Sequence, residues 1–329
     1  MTNDIADILK REDGFLIVTH VNPDGDALGS MLGMDLALRE MGKRSRPLLK
    51  DSFPERYAFL PGRDRVLTSV ESLDLEPNWI VSLDVASRAR ISADVEAIRS
   101  VAALINVDHH PTNNGFGDIN LIDPSATSTA ELVFKILRSA GYAPSSDVGK
   151  CLYTGLITDT GCFRYSGVNS NTLHLAGQIL ESGFDSYDVT RHIYEEYPLR
   201  RLGLERLLLE RVRILLEGRL VMSTFYEDDF KQLGASMSES EDLVNRLREI
   251  SGVEVGVLLT QVSEEVCRAS LRSKGRLDVA DIAARLGGGG HKNAAGVRST
   301  LPLEELTERI VHSVTDALSC PDHSSEPDG

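Results

Sequence analysis

The chain has little cysteine: 4 residues in 329, at Cys151, Cys162, Cys267 and Cys320, with no C-x-x-C pair. So few and scattered a set excludes dependence on disulfides and reads as reduced, mostly buried thiols. Nothing in the chain approaches the ~18 consecutive apolar residues that span a bilayer. The opening "MTNDIADILKRED" lacks the basic and apolar regions of a signal peptide, so the expected compartment is the cytoplasm. Positive charge is also short: 35 Lys and Arg stand against 50 Asp and Glu, a net −15. That argues against a long basic groove for nucleic acid and against membrane association. It leaves room for a small anion held by a few local cations or metal ions. Also missing is a G-x-x-x-x-G-K-[ST] phosphate loop, even around "GGGGHK", and no G-x-G-x-x-G follows the first apolar run. An EF-hand begun at Asn22 would place Asp24 and Asp26 correctly. It fails at Ala27, where glycine is needed, and at Gly33, where the late Glu belongs.

What is present is a globular composition, 41% hydrophobic and 26% charged, in a chain long enough for two domains. In the first half, short apolar strands alternate with helical patterns. "FLIVT" (15–19), "WIVSL" (79–83) and "VAALINV" (101–107) read as buried strands; 27–42 reads as a helix stopped by Gly42. Such alternation predicts an α/β domain, a mostly parallel sheet with helices on both faces. Ser128 three residues before Glu131 predicts a capping box opening a helix over 128–140, and 171–183 reads as another helix. Charged helical patterns from about 187 to 213 predict a connector whose leucines pack internally. A second, smaller α/β unit follows, with strands in "RLVMSTF", "VEVGVLLTQV" and "VCRASLR". Its helices are expected in "DLVNRLREI", "VADIAARLG" and a closing "PLEELTERIVHSVTDAL". The polar, Pro-containing end reads as a frayed tail.

Three of the predicted strands end in chemistry. "FLIVT" runs into His20, with Asp24 and Asp26 just beyond; "WIVSL" ends at Asp84; "ALINV" ends at Asp108, His109 and His110. A further acid, Asp159, follows an apolar stretch and precedes Gly161. Ligands of open parallel sheets bind beyond the carboxyl ends of strands, so these residues are expected on one rim. Taken singly, each Asp reads equally as an N-cap or turn former. Taken together, several acids without cations would repel one another and raise their own pKa values, which bound divalent ions prevent. Asp24, Asp26, Asp84 and Asp159 carry four negative charges, which two divalent ions balance, while His20 and His109 bind as neutral imidazoles. Imidazole and carboxylate donors without thiolate suit Mn²⁺ and admit Mg²⁺, Co²⁺ or Zn²⁺.

The second unit supplies "SLRSKG" and "GGGGHKNAAG". Glycines let a backbone approach a ligand and turn N–H groups toward an anion. Arg272 and Lys274 are cations for phosphate, and His291 can bond a phosphate or stack on a base. The same loop also reads as a flexible turn beside a solvated basic one.

Four segments, "HVNPDGDALGS", "SLDVASR", "NVDHHPTNNGFGDINLID" and "GLITDTGCFRYS", resemble the ordered motifs of DHH phosphoesterases; the second-unit segments resemble the DHH-associated C-terminal domain. The resemblance spans about residues 14–317. It implies a DHH catalytic, metal-binding domain over 1–187 and a helical connector over 188–217. A DHH-associated substrate-binding domain over 218–318 and a disordered tail over 319–329 would follow, with the active site in the interdomain cleft. It implies a hydrolase with two Mn²⁺: His20 and Asp24 on one ion, Asp26, His109 and Asp159 on the other, Asp84 bridging. Catalytic roles fall to His110, Asp84 and Asp108, with His110 contacting phosphate and Asp108 orienting a histidine. Substrate binding falls to Arg272, Ser273, Lys274, Gly288, Gly289, Gly290 and His291. Within the family, the two-domain layout resembles nanoRNases that cleave short RNA oligonucleotides and remove the 3′-phosphate of pAp (3′-phosphoadenosine 5′-phosphate). A stand-alone cyclic di-AMP phosphodiesterase, also acting on pApA, is the nearest alternative, and a non-catalytic nucleotide-binding regulator a more distant one. The resemblance also implies a homodimer.

Overall fold

The computed structural model describes residues 1–99, 102–240 and 242–319. Cys320 and residues 320–329 of the expected tail lie outside them. The chain forms two compact units, Met1–Glu196 and Tyr197–Gly329, each with its own apolar cores. The division falls inside the stretch read as one connector.

In the first unit the order is α1 (Thr2–Arg11), β1 (Phe15–Val18), α2 (Gly25–Glu40), β2 (Ser45–Leu48), β3 (Trp79–Leu83), the single turn α3 (Glu96–Arg99), β4 (Ala103–Asp108) and β5 (Ile119–Ile122). Then come α4 (Thr129–Ser139), α5 (Ser146–Asp159), α6 (Ser170–Leu180) and α7 (Ser186–Tyr194). The five strands are all parallel, in the order β2-β1-β3-β4-β5. The chain steps from β1 to one side and returns to the other, so the direction of winding reverses between β1 and β3. Ligand crevices form at such a reversal.

Strand side chains alternate between faces. Phe15 and Ile17 join the core that holds α1, α2, α4 and α5; Leu16 and Val18 join a smaller one with Ile91, Val95 and Ile98. The helices thus crowd one face. The other face carries α3, short 3₁₀ turns and loops rather than a matching helical layer. The connection between β2 and β3 is interrupted by Pro54 and Pro61, which stop any long helix forming there.

The second unit comprises α8 (Arg200–Glu210), β6 (Arg213–Leu215), β7 (Leu220–Phe225), α9 (Glu227–Leu233), α10 (Val244–Arg248), β8 (Val255–Gln261) and β9 (Cys267–Ser273). It ends with α11 (Val279–Arg285), β10 (Gly289–His291), β11 (Ala294–Ser299) and α12 (Leu303–Ser319). Its six strands run β10-β11-β9-β8-β7-β6, antiparallel except for the β7–β8 pair. Among the described residues, no helix is long and apolar enough to cross a membrane.

Candidate metal centre

Beyond β1 the chain reaches His20, 7% exposed, whose Nδ1–H donates to the Val21 carbonyl at 2.9 Å. A carbonyl only accepts, so this bond keeps a proton on Nδ1 and, in the neutral ring, leaves the lone pair on Nε2. Nε2 lies 3.5 Å from Asp84 Oδ2 and 3.9 Å from Asp24 Oδ1. Asp24 is the N-cap of α2: its Oδ1 accepts the N–H groups of Asp26 and Ala27, each at 3.0 Å. Asp24 therefore caps α2 and also faces His20, so the capping and ligand readings are compatible in one residue. Asp26, in the first turn of α2, is fully buried.

Asp84 follows β3 in a left-handed backbone conformation, φ +61°. For a residue with a Cβ this costs on the order of 1 kcal/mol, and such strain collects at functional sites. Its carboxylate lies among three imidazoles: Oδ2 faces His20, and Oδ1 is 3.6 Å from His109 Nε2 and from His110 Nδ1. His109, just past β4, repeats the logic of His20. Its Nδ1–H donates to the Ala126 carbonyl at 3.2 Å, and Nε2 lies 3.0 Å from Asp159 Oδ2 and 3.9 Å from Asp26 Oδ2. Asp159 is the last residue of α5.

One donor atom each from His20, Asp24 and Asp84 lie within 4.8 Å of one another, as do those of Asp26, His109 and Asp159. Asp108 is buried behind them. Its Oδ1 accepts from the His109 N–H at 2.9 Å and from His110 Nδ1 at 2.7 Å, and its Oδ2 from Asn113 at 2.6 Å. The histidine that Asp108 orients is therefore His110.

The electrostatics show what the centre needs. Burial and the charges of Asp84 and Asp159 push Asp26 well above the usual carboxylate range. On Asp84 burial is outweighed by His20 and by the imidazoles of His110 and His109, which hold it well below that range. On His20 burial is outweighed by Asp84 and Asp24, and the imidazole is pushed up to about 9. His109 and His110 rise in the same way against burial, through Asp159 and Asp108 respectively. These shifts favour the charged imidazoles and the neutral Asp26 carboxyl, the response of crowded acids that a bound cation would relieve. Two imidazoles presenting Nε2 and four convergent carboxylates are a donor set that fits divalent cations.

Sequence reasoning missed three supports. Asn113 clamps Asp108 and also donates to the Val85 carbonyl at 2.9 Å. Thr129 and Ala130, opening α4, reach both Asp26 and Asp84. The expected capping box is only half formed. Ser128 accepts the Glu131 N–H at 3.1 Å, but the Glu131 carboxylate turns to Thr127, whose N–H and hydroxyl both lie at 2.9 Å. Only the Ser128-to-Glu131 half of the pattern is local to the helix; Thr127, one residue earlier, offers Glu131 two donors instead of one.

In the second unit, register pairs His291 with Ala294 and Ala294 with Arg272, so Arg272 and His291 flank one residue across β11. The Arg272 guanidinium donates to the Leu271 carbonyl at 3.0 Å, and Lys274 Nζ to that of Ile250 at 2.7 Å. Ser273, between these two residues, is also expected to bind substrate. It is fully buried, and its hydroxyl donates to the Lys292 carbonyl at 3.2 Å, because alternation on β9 turns it inward between Arg272 and Lys274. The glycine loop divides likewise. A Cβ on Gly288 would meet the Gly296 carbonyl at 2.1 Å and one on Gly290 that of Ala294 at 2.4 Å, while one on Gly289 meets nothing within 4 Å. Two of these glycines are needed for the hairpin itself.

A parallel sheet with a buried Asp–His centre at its winding reversal, followed by a mixed-sheet unit, defines an α/β protein with a candidate divalent-cation site. Residues 14–156 match the DHH family, N-terminal domain, and residues 218–319 match the DHHA1 domain. The chain is 33% identical over 320 residues to the bifunctional oligoribonuclease and PAP phosphatase NrnA of Thermus thermophilus, covering 96% of this chain and 94% of that one. With the protein of the same name from Bacillus subtilis it shares 28% over 307 residues, covering 90% and 92%. Among solved structures, an exopolyphosphatase-related protein from Bacteroides fragilis superimposes with a TM-score of 0.87 at 28% identity, covering 96% and 95%. The chain belongs to the DHH phosphoesterase family and is a hydrolase.

Proposed function

We propose that the protein is a two-metal phosphoesterase, Mn²⁺ being the working ion, that hydrolyses short oligoribonucleotides to mononucleotides and pAp to AMP and phosphate. The observation that carries this reading is the convergence of His20, Asp24, Asp26, Asp84, His109 and Asp159 at the carboxyl edge of the sheet. Its substrate class rests on similarity over nearly the whole chain to relatives bearing that double name.

When bound, two divalent ions lower the pKa of a water and neutralise charge that builds on the phosphoryl oxygens. His20 and Asp24 would hold one ion, Asp26, His109 and Asp159 the other, and Asp84, between the two histidines, both. The backbone bonds of His20 and His109 fix the tautomer in which Nε2 is the donor atom. Asp108, steadied by Asn113, accepts His110 Nδ1–H; this orients the ring and favours its imidazolium, whose Nε2–H would give its proton to the departing oxygen and leave the neutral ring. From the second unit, Arg272, Lys274, His291 and the open backbone at Gly289 are proposed to hold the nucleotide phosphate. The functional division follows: a catalytic N-terminal domain and a substrate-binding C-terminal one.

Purified protein with Mn²⁺ should release AMP from pApA and from pAp, read by mass, and Asp84→Asn should lower turnover by at least about 10²-fold. Turnover of cyclic di-AMP in preference to both would replace the substrate reading. No turnover of any of the three with metal bound would overturn the enzyme reading.

A further inference from the structure

We propose that Thr129 is a positioning residue that ties the carboxylates of Asp26 and Asp84 into the single arrangement that binds metal. The inference rests on the reading of this cluster as a two-metal site.

Thr129 is fully buried and is the first residue of α4. Its hydroxyl donates to Asp84 Oδ1 at 3.0 Å, and its N–H donates to Asp26 Oδ2 at 2.6 Å. The Ala130 N–H donates to Asp26 Oδ1 at 2.9 Å, and the Ser30 hydroxyl to the same oxygen at 3.2 Å. The opening N–H groups of a helix have no partner within it. Here Ser128 takes the Glu131 N–H and Asp26 takes those of Thr129 and Ala130, so the first turn of α4 is anchored on a carboxylate from α2. One residue therefore joins an acid of one proposed ion to the acid proposed to bridge both.

The lone pairs explain why this matters. A carboxylate offers about four acceptor sites. Three protein donors on Asp26 leave it one, which suits a single bond to a cation. Asp84 receives the Thr129 hydroxyl at Oδ1 while Oδ2 faces His20 Nε2 at 3.5 Å, so both oxygens keep acceptor sites on the side of the histidines, which suits a bridging role. Its strained backbone, φ +61°, leaves the carboxylate dependent on side-chain contacts for its orientation. Of the groups around it, His20, His109 and His110 are drawn to a cation or to Asp108, whereas the Thr129 hydroxyl has no such alternative. It can hold Asp84 still both before and after metal enters.

Thr129→Val removes the hydroxyl at nearly constant volume, and Thr129→Ser retains it. The backbone bond to Asp26 persists in both, so the pair isolates the bond to Asp84. Mn²⁺ affinity is measured by calorimetry on the full chain, beside the melting temperature of the metal-free protein. Thr129→Val should weaken Mn²⁺ binding by about 10-fold or more, in the range found for residues that support metal ligands. Thr129→Ser should stay close to the parent. With saturating Mn²⁺, KM for pAp should be unchanged in both. If Thr129→Val does not fold, Thr129→Ala takes its place. Parental Mn²⁺ affinity in a folded variant lacking the hydroxyl would overturn the proposal while leaving the metal site standing. Failure of the parent protein to bind Mn²⁺, Mg²⁺, Co²⁺ or Zn²⁺ would overturn both.

Discussion

At the scale of single residues, the centre consists of ordinary local motifs given a second duty. Asp24 caps α2 and faces His20; Asp26 receives the opening of α4 and faces His109. Such double use is why an aspartate after a strand is ambiguous in sequence, since both readings require the same residue type. Protonation adds a testable consequence. In the metal-free protein His20 is pushed up to about 9, so near neutral pH its imidazole carries a proton that a cation must displace. Metal binding at pH 7 should then release protons, and affinity should climb as pH rises toward about 9. Calorimetric titration with Mn²⁺ in two buffers of different ionisation enthalpy reads that release directly. Equal heats in both buffers would contradict the histidine assignment.

At the scale of elements, glycine brings the site together. Gly25, Gly29 and Gly33 recur every fourth residue along α2 and face α5, where added Cβ atoms would meet Thr158 at 2.4 Å, the Cys151 carbonyl at 2.4 Å and Leu152 at 2.8 Å. Close approach of the two helices carries Asp26, at the start of α2, toward Asp159, at the end of α5. Gly29→Ala must push backbone against backbone. It should lower stability by about 1–3 kcal/mol and reduce activity further by parting the two acids. Gly177, exposed within α6 with nothing within 4 Å, is the opposite case. Gly177→Ala should raise stability by about 0.5–1 kcal/mol through backbone entropy alone. Melting curves of the two variants should therefore shift in opposite directions. Past α5 the chain turns through Gly161, Cys162 and Phe163, all with positive φ between +56° and +61°, so strain is concentrated directly behind Asp159.

At the scale of the whole molecule, net charge bears on the size of the proposed substrate. A net −15 would repel a long polyanion, whereas a short one would feel mainly the local centre. Turnover should be highest on dinucleotides and fall as RNA lengthens. On a strand of about 20 nucleotides, kcat/KM should rise with moderate added salt, the reverse of a nuclease with a basic groove. Steady-state rates across an RNA length series at two ionic strengths test this. A rate that rises with length, or falls with salt on the long strand, would place a cationic track on the surface.

Much of the parallel sheet and the cluster of Asp and His at its carboxyl edge were legible in the sequence. Strands β1, β3 and β4 are short, mostly apolar apart from Ser82 and Asn106, and run into Asp and His, and burial on both faces of a parallel sheet favours such runs. Elements with mixed composition were hidden. β2, "SRPL", holds a charge and a proline, tolerated because it forms the sheet edge. α5 is buried too widely around its axis to show one apolar stripe. Thr129 and Asn113 carried no signal: the Thr129 hydroxyl acquires its role only from a carboxylate 45 residues away, and the Asn113 amide from a loop that folds it back onto Asp108 and Val85. Residue types and strand ends follow from local hydrophobicity and capping, which act within a few positions. The meeting of Asp26 and Asp84 with His109 and Thr129 joins segments brought near only by helix packing and strand order, and that choice belongs to the tertiary structure.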